Sequence, residues 1–353
     1  MTNYLSHVKS FISLGAVKKP SIGLDIGSQS CKAIELLPTK DSFEVVNSTL
    51  EPVIKGNYSD ALKKVLAKLD VGSKNLSTAI SGHGTLIRYV DMPKMSLADA
   101  RQSFILEADK YFPFAKEQIY MDCFIVDSHI AENKMSLLVA AGKKELVDQR
   151  MKLLTDLGLE ANFIGVNAIA IANAFNKLRL PSAKKEENLE KVGSDTVALL
   201  DIGDATANLV ILKNNVPCFT RDIFIGGREL SKSISNIFGV SGEEAEKLKC
   251  TPSEKKDAMF NACESTLSNL SSEIRLSFDY FATEHNTFVS ELFLTGGSSM
   301  LAGVENFFTK SLDVPTQQWN PIETLVINPQ VDKSELNQKA GCFTVALGLA
   351  LYQ

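Results

Sequence analysis

One pattern occurs twice in this chain, far apart. Residues 21–46 read SIGLDIGSQSCKAIELLPTKDSFEVV, and residues 197–225 read VALLDIGDATANLVILKNNVPCFTRDIFI. Each copy starts as an apolar run ending in Asp-Ile-Gly and passes through a few small polar residues. A second β-rich run follows, then a polar turn and a third run. Links this tight are those of hairpins. The spacing between copies is far longer than the roughly 20–50 residues of a solenoid unit. The pattern therefore predicts a duplicated domain whose halves face each other across a cleft. The length of 353 residues agrees, being more than one ordinary core holds.

Composition narrows the function classes. Apolar residues make up 44% and charged residues 22%, as in a soluble globular protein. The net charge of −5, with no dominant basic stripe, argues against a nucleic-acid partner. Cys31, Cys123, Cys218, Cys250, Cys263 and Cys342 are scattered with no Cys-x-x-Cys pair. Neither a zinc site nor a disulfide framework is indicated, and a reducing cytoplasm is the simplest home. No apolar run is long enough to span a bilayer. Residues 1–19 form an N-terminal tail in which Leu5, Val8, Phe11 and Ile12 fall at helical spacing beside Lys9, Lys18 and Lys19. Two readings stay open: an amphipathic helix touching a membrane through residues 1–16, or a helix that packs on a neighbour or frays.

Between and after the copies, periodicity predicts further elements. Residues 58–69 and 145–159 have helical spacing, the latter ended by Gly158. Residues 77–93 read as strand, glycine turn, strand. Residues 96–114 read as a helix with Ser96 at its N-cap and Asp99 three residues on, stopping before Pro113. Residues 118–144 read as a hairpin turning near Glu132-Asn133. A small inserted α/β unit over residues 88–165 would contain these. Residues 179–195 are charged and poor in apolar side chains, so they read as an exposed linker. Residues 226–249 and 258–285 read as helical, residues 291–312 as strand, glycine turn, helix, and residues 341–352 as a packed small-residue helix.

The chemistry lies in the repeated hairpin. A turn with converging backbone N–H groups makes a nest for anionic oxygens. Gly27 permits close approach of a phosphate, Ser28 and Ser30 offer hydroxyls, and Lys32 adds positive charge. Asp25 would repel a bare phosphate but suits a site with Mg²⁺, which is held by carboxylates and phosphate oxygens while keeping several waters. Asp201 is the matching carboxylate of the second copy. The bland alternative is two ordinary strand ends, and the matched contexts weigh against it. No Gly-x-x-x-x-Gly-Lys-Ser/Thr loop occurs, nor a Gly-x-Gly-x-x-Gly after the first strand, so a P-loop or dinucleotide fold is disfavoured. A third glycine turn, LFLTGGSSML at residues 292–301, would admit a flat base or sugar. Taken alone it reads equally well as a plain strand-to-helix turn.

These three stretches, in this order, resemble the actin-like ATPase superfamily, and within it the PilM family of type IV pilus assembly proteins. RYVDMPKMS (88–96), EADKYFPF (107–114), IYMDCFIVD (119–127), IGGREL (225–230), EEAEKLK (243–249) and SSEIRLSFDYF (271–281) extend the likeness over nearly the whole chain. The resemblance implies an α/β actin-like duplicated fold, with two lobes around a nucleotide cleft and an inserted α/β subdomain. On that pattern residues 20–87 begin the first lobe and residues 88–165 are the insertion. A connecting helix (166–180), an exposed linker (181–195), a second lobe (196–340) and a C-terminal helix at the lobe interface (341–353) follow. The resemblance implies ATP and Mg²⁺ as cofactors, with Asp25 and Asp201 holding the metal through water. It puts Gly27, Ser28, Gln29 and Lys32 at the phosphates from one side, and Gly203, Asp204 and Thr206 from the other. Gly226 and Gly227 also join the nucleotide site. Glu246 and Lys249 match a Glu-x-x-Lys helix at ribose and base, although alone they would read as a solvated helix face. Gly296, Gly297 and Ser298 match the adenosine turn.

Two departures from the family pattern stand out. Asp204 occupies a place where relatives commonly have a small residue, and Ala207 one where they have Thr. An extra carboxylate beside a triphosphate weakens binding unless it points away or helps the metal. Active relatives also carry Glu or Gln on the helix after the first lobe to position water. Here that helix reads GVNAIAIANAF (165–175), and Asn167 is the polar candidate. An amide orients water but does not accept its proton, which implies slow or absent hydrolysis.

The function implied is a cytoplasmic ATP-binding adaptor, peripheral at the inner membrane, in a pilus or related secretion machine. Its partner would be the cytoplasmic tail of a PilN-like single-span membrane protein, with other platform or motor components in reach. Phe104, Tyr111, Phe112 and Phe114 either line that docking groove or form the core of the insertion. One alternative is a membrane-tethered filament former like the division protein FtsA, which would use an amphipathic C-terminal anchor where this chain reads as a packed helix. Another is a phosphotransferase, for which no acceptor motif is seen.

Overall fold

In the computed structural model, the described residues are 20–40, 42–69, 71–72, 75–179, 196–250 and 256–352. The proposed tail at 1–19 and linker at 181–195 lie outside them. The first half runs β1 (Ser21–Ile26), β2 (Ser30–Pro38), β3 (Phe43–Pro52), α1 (Tyr58–Leu66), β4 (Asn75–Ile80) and β5 (Thr85–Pro93). It continues through α2 (Leu97–Tyr111), β6 (Ile119–Ala131), β7 (Lys134–Lys143), α3 (Lys144–Thr155), β8 (Phe163–Val166) and α4 (Asn167–Leu178). The second half runs β9 (Thr196–Ile202), β10 (Ala207–Lys213), β11 (Val216–Ile223), α5 (Gly227–Phe238), α6 (Gly242–Cys250) and α7 (Lys256–His285). After these come β12 (Glu291–Thr295), α8 (Val304–Leu312), β13 (Thr316–Gln318), β14 (Val326–Ile327), α9 (Lys333–Gln338) and α10 (Thr344–Ala350).

Sheet topology carries the duplication. One sheet has the order β14-β3-β2-β1-β4-β8 and another β11-β10-β9-β12-β13. In each, the first strand of the repeat pairs antiparallel with the second and parallel with the strand on its other side. Both repeats turn alike: Gly27 N donates to Ser30 O and Gly203 N to Thr206 O, each at 3.1 Å. β1 is buried along its whole length, as a strand covered on both faces must be. β10 and β11 are joined at Asn214-Asn215, both with positive φ, the backbone that a two-residue hairpin turn prefers.

The lobes share a helical middle layer. α4 and α10 lie between the two sheets in one core that includes Ile34 and Leu36 from the first sheet and Val197, Leu199 and Val210 from the second. Close approach of backbones makes this possible. A Cβ at Gly348 would overlap the Ala170 carbonyl of α4, and one at Gly23 of β1 would overlap the Ala346 carbonyl of α10. Separate cores cover the outer faces: Leu62, Val65 and Leu154 on the first sheet, and Leu230, Leu267 and Phe308 on the second.

A third sheet, β5-β7-β6, packs against α2. Ser96 caps α2 by accepting from Asp99 N, as its sequence predicts. Asn133, with φ of 57°, turns β6 into β7. Phe104 and Phe112 are buried in this subdomain's own core, with Tyr111 and Phe114 packed against it. Of the two readings of these aromatics, the core one holds. All six cysteines are free. Among the described residues no helix is long and apolar enough to cross a membrane.

Candidate functional site

Asp25 and Asp201 are each the last residue but one of their strands, so the fold delivers both to the hairpin ends. Both are buried. In the first hairpin Asp25 pairs across the ladder with Lys32, and the Lys32 ammonium lies 2.9 Å from Asp25 Oδ2. The sequence places Lys32 at a phosphate, and the structure sets its ammonium against the carboxylate opposite it. Burial alone would lower the pKa of Lys32, yet the charge and hydrogen bond of Asp25 overcome this and raise it. In the second hairpin the residue facing Asp201 is Asn208, whose amide turns away to Asp222 Oδ1 at 2.7 Å. Among the described residues, Asp201 thus has no cation of its own. Burial, with the charge of Asp25 adding and Lys32 opposing, pushes its carboxyl up to about 7.

The two hairpins meet across the cleft. Ser28 Oγ donates to Asp204 Oδ2 at 2.8 Å, and Arg228 Nη2 donates to the same oxygen at 2.7 Å. Gln29 is exposed at the tip of the first hairpin. The second hairpin is pinned to the start of α5, where Gly227 N donates to Gly203 O and Arg228 N to Asp204 O. Gly226 lies so close that a Cβ would overlap the Asp204 carbonyl. Thr206 closes the turn through its carbonyl.

The other predicted residues gather on the second lobe beside this hairpin. Lys249 is buried, not solvated as its sequence alone suggests; it donates to Glu246 Oε2 at 2.7 Å and to Gly227 O at 3.1 Å. Ser231 also donates to Glu246. A side chain at Gly227 would strike both Ser298 Oγ and the Lys249 ammonium. Ser298 Oγ in turn donates to Gly203 O at 3.4 Å, and Gly296 (φ +88°) abuts the backbone of Ile202. Gly297 faces Cys342 across the closing segment of the chain. Glycine turn, second hairpin, α5 and α6 therefore form one continuous wall.

A family model for the type IV pilus assembly protein PilM matches residues 23–353. The chain belongs to the PilM family. A chain of a PilM–PilN type IV pilus biogenesis complex superposes with a TM-score of 0.79 at 24% identity, over 96% of this chain and 98% of that one. The ethanolamine utilization protein EutJ from Carboxydothermus hydrogenoformans superposes with a TM-score of 0.54 at 14% identity, over 99% and 94%. MreB 5 of Spiroplasma citri bound to AMPPNP does so with a TM-score of 0.50 at 11% identity, over 94% and 95%. These likenesses give the fold class as actin-like α/β. Cell division protein FtsA of Bacillus subtilis (strain 168) is 26% identical over 263 residues, 65% of this chain and 57% of FtsA. The match thus spans little more than half of FtsA.

Several side chains in this PilM-family cleft carry no signal in the sequence. Arg228 follows the Gly226-Gly227 pair, yet only the fold brings it to Asp204. Arg150, on α3, donates from Nη2 to the Ile26 carbonyl at 3.3 Å, while its Nη1 is buried without a hydrogen-bond partner among the described residues. Burial lowers its pKa, against the opposing charge of Asp25. Asp222 joins the lobes by accepting from Gly82 N at 2.9 Å as well as from Asn208. Asn167 opens α4 at the end of β8, on the same sheet edge as Asp25 but two strands away. At the usual strand spacing that separation is roughly 10 Å.

Proposed function

We propose that this PilM-family protein is an ATP-binding cytoplasmic adaptor at the inner-membrane platform of a type IV pilus or related machine, docking the tail of a PilN-like membrane protein. The observation that carries the reading is the meeting of two carboxylate-bearing hairpins, one from each lobe, at Ser28 and Asp204. ATP and Mg²⁺ fit the residues present. Asp201 is a buried carboxylate beside a second one, and Lys32 offsets its raised pKa only in part, so a divalent cation would relieve an electrostatic cost. Asp25 and Asp201 would hold Mg²⁺ through water, and the ion would neutralise phosphate charge. Gly27, Ser28, Gln29, Gly203 and Thr206 would line the phosphates. Gly226, Gly227, Glu246, Lys249, Gly296, Gly297 and Ser298 would cradle the nucleoside.

Asn167 is the candidate for orienting water, and an amide there means hydrolysis that is slow at most. Nucleotide would then bias the angle between lobes instead of driving chemistry, and the partner tail would sense that angle. That a solved PilM chain comes from a complex with PilN supports the choice of partner. The test is calorimetric titration with Mg²⁺-ATP, followed by phosphate release. Binding that Asp25→Ala and Asp201→Ala both abolish, with negligible release, is the expected result. Brisk release would replace the adaptor with a motor or kinase. No binding would leave the hairpins as relics and the function to partner docking alone.

A further inference from the structure

Asp204 is where the second hairpin meets the first. Its Oδ2 receives the Ser28 hydroxyl of one lobe and the Arg228 guanidinium of the other at 2.8 and 2.7 Å. These are the donor types that bind phosphate oxygens, a hydroxyl at a hairpin tip and an arginine fork. The Asp204 side chain is 13% exposed, whereas Arg228 is 60% exposed and free to follow it. Its backbone is fixed, because Arg228 N holds its carbonyl and Gly226 packs on it. Displacement of the side chain would leave these backbone contacts in place. A role as third metal ligand is not supported, since no group of three carboxylate, His or Cys side chains among the described residues is placed to hold an ion.

We propose that Asp204 is a tethered anion that occupies the phosphate donors of this cleft, so that a nucleotide must displace it from Ser28, and that it thereby sets the site's affinity and its preference among phosphate chains. This rests on the nucleotide reading above. A phosphate chain at the first hairpin competes for the one hydroxyl Asp204 holds. Once displaced, the carboxylate stays beside Arg228 and repels the ligand in proportion to its charge. The clasp also ties the lobes together when no nucleotide is bound, so one residue stabilises the empty cleft and opposes filling it.

Two variants and three ligands test this by calorimetry, with thermal unfolding alongside. Asp204→Ala removes the anion and the clasp; Asp204→Asn keeps an acceptor for Ser28 without charge. Loss of a charge-assisted contact of this kind should tighten Mg²⁺-ATP binding by about tenfold in Asp204→Ala, with Asp204→Asn in between. The gain should shrink from ATP to ADP to AMP. Without nucleotide, Asp204→Ala should unfold at a lower temperature than the parent. A purely structural role would lower stability and affinity together, not in opposite directions. If the parent binds ATP and both folded variants bind it equally or more weakly, the proposal is overturned. If the parent binds poorly and Asp204→Ala binds well, it is supported. If neither binds any of the three ligands, the nucleotide reading fails and this inference with it.

Discussion

The two hairpins share a topology and a turn, yet they treat their buried aspartates in opposite ways. In the first, Asp25 faces Lys32 and the pair is self-contained. In the second, Asp201 faces Asn208, which is committed to Asp222 and so to the interlobe contact with Gly82. Duplication thus preserved the backbone and divided the labour. One hairpin carries a neutralised charge that costs the fold little. The other carries a carboxyl with no cation across its ladder, whose pKa burial raises to about 7, and its neighbour wires the hairpin to the opposite lobe. Under the proposed function, this carboxylate without a ladder cation is the one that a bound metal ion would neutralise.

The largest expected effect comes from breaking the first hairpin's pairing. Lys32→Met leaves Asp25 buried without its cation, which should lower stability by about 3 kcal/mol or more in urea unfolding. A loss below about 1 kcal/mol would mean that the pair is not what makes the first copy self-contained. Next is Asp201→Asn, which should stabilise the protein while abolishing Mg²⁺-ATP binding. The folded-state pKa of Asp201 is raised to about 7, whereas an unfolded aspartate titrates near 4. The folded protein therefore holds a proton that the unfolded chain has released, and stability falls as pH rises from about 4 through about 7. The substitution should add about 1–3 kcal/mol at pH 8 and little at pH 4. Equal gains at both pH values would show that the carboxyl is not proton-bound in the fold.

Asp222→Ala should come third, at about 1–2 kcal/mol, because it strands the Asn208 amide and the Gly82 N–H together. It should also weaken any dependence of partner-tail affinity on nucleotide, as measured by titrating a PilN-like tail peptide with and without ATP. Coupling that survives intact would exclude this contact from the route between lobes. The smallest effect belongs to Gln29→Ala at the exposed hairpin tip, expected within about 0.5 kcal/mol in thermal unfolding. A larger change would mean that the tip is braced by more than its backbone, in which the Gln29 carbonyl accepts from Val53 N at 2.9 Å.

Much of this was legible in advance wherever the signal was local. Asp-Ile-Gly followed by small polar residues marks a strand end and turn in both copies. Ser96 with Asp99 marks the start of α2, and Glu132-Asn133 the turn from β6 to β7. Each depends on residues a few positions apart, within reach of backbone propensity. Taken alone, Lys249 reads as a solvated helix residue, because charge on a short helix carries no record of what lies against it. Burying it took the Gly227 carbonyl 22 positions earlier in the chain. For Lys32, the ladder partner that its ammonium meets becomes visible only with the register.

By itself the sequence determined the duplication, the hairpins, their two aspartates and the family. These follow from periodicity and turn chemistry, which act over a few residues. Only the tertiary structure decided which carboxylate is paired, that Arg150, Arg228 and Asp222 belong to the cleft, and that Asp204 bridges it. The bond from Ser28 to Asp204 joins residues 176 positions apart, and that from Gly82 to Asp222 joins residues 140 apart. Contacts over such separations are set by how α4 and α10 seat the two sheets on each other. No local pattern encodes them, because the same side chains on a differently packed pair of lobes would face water.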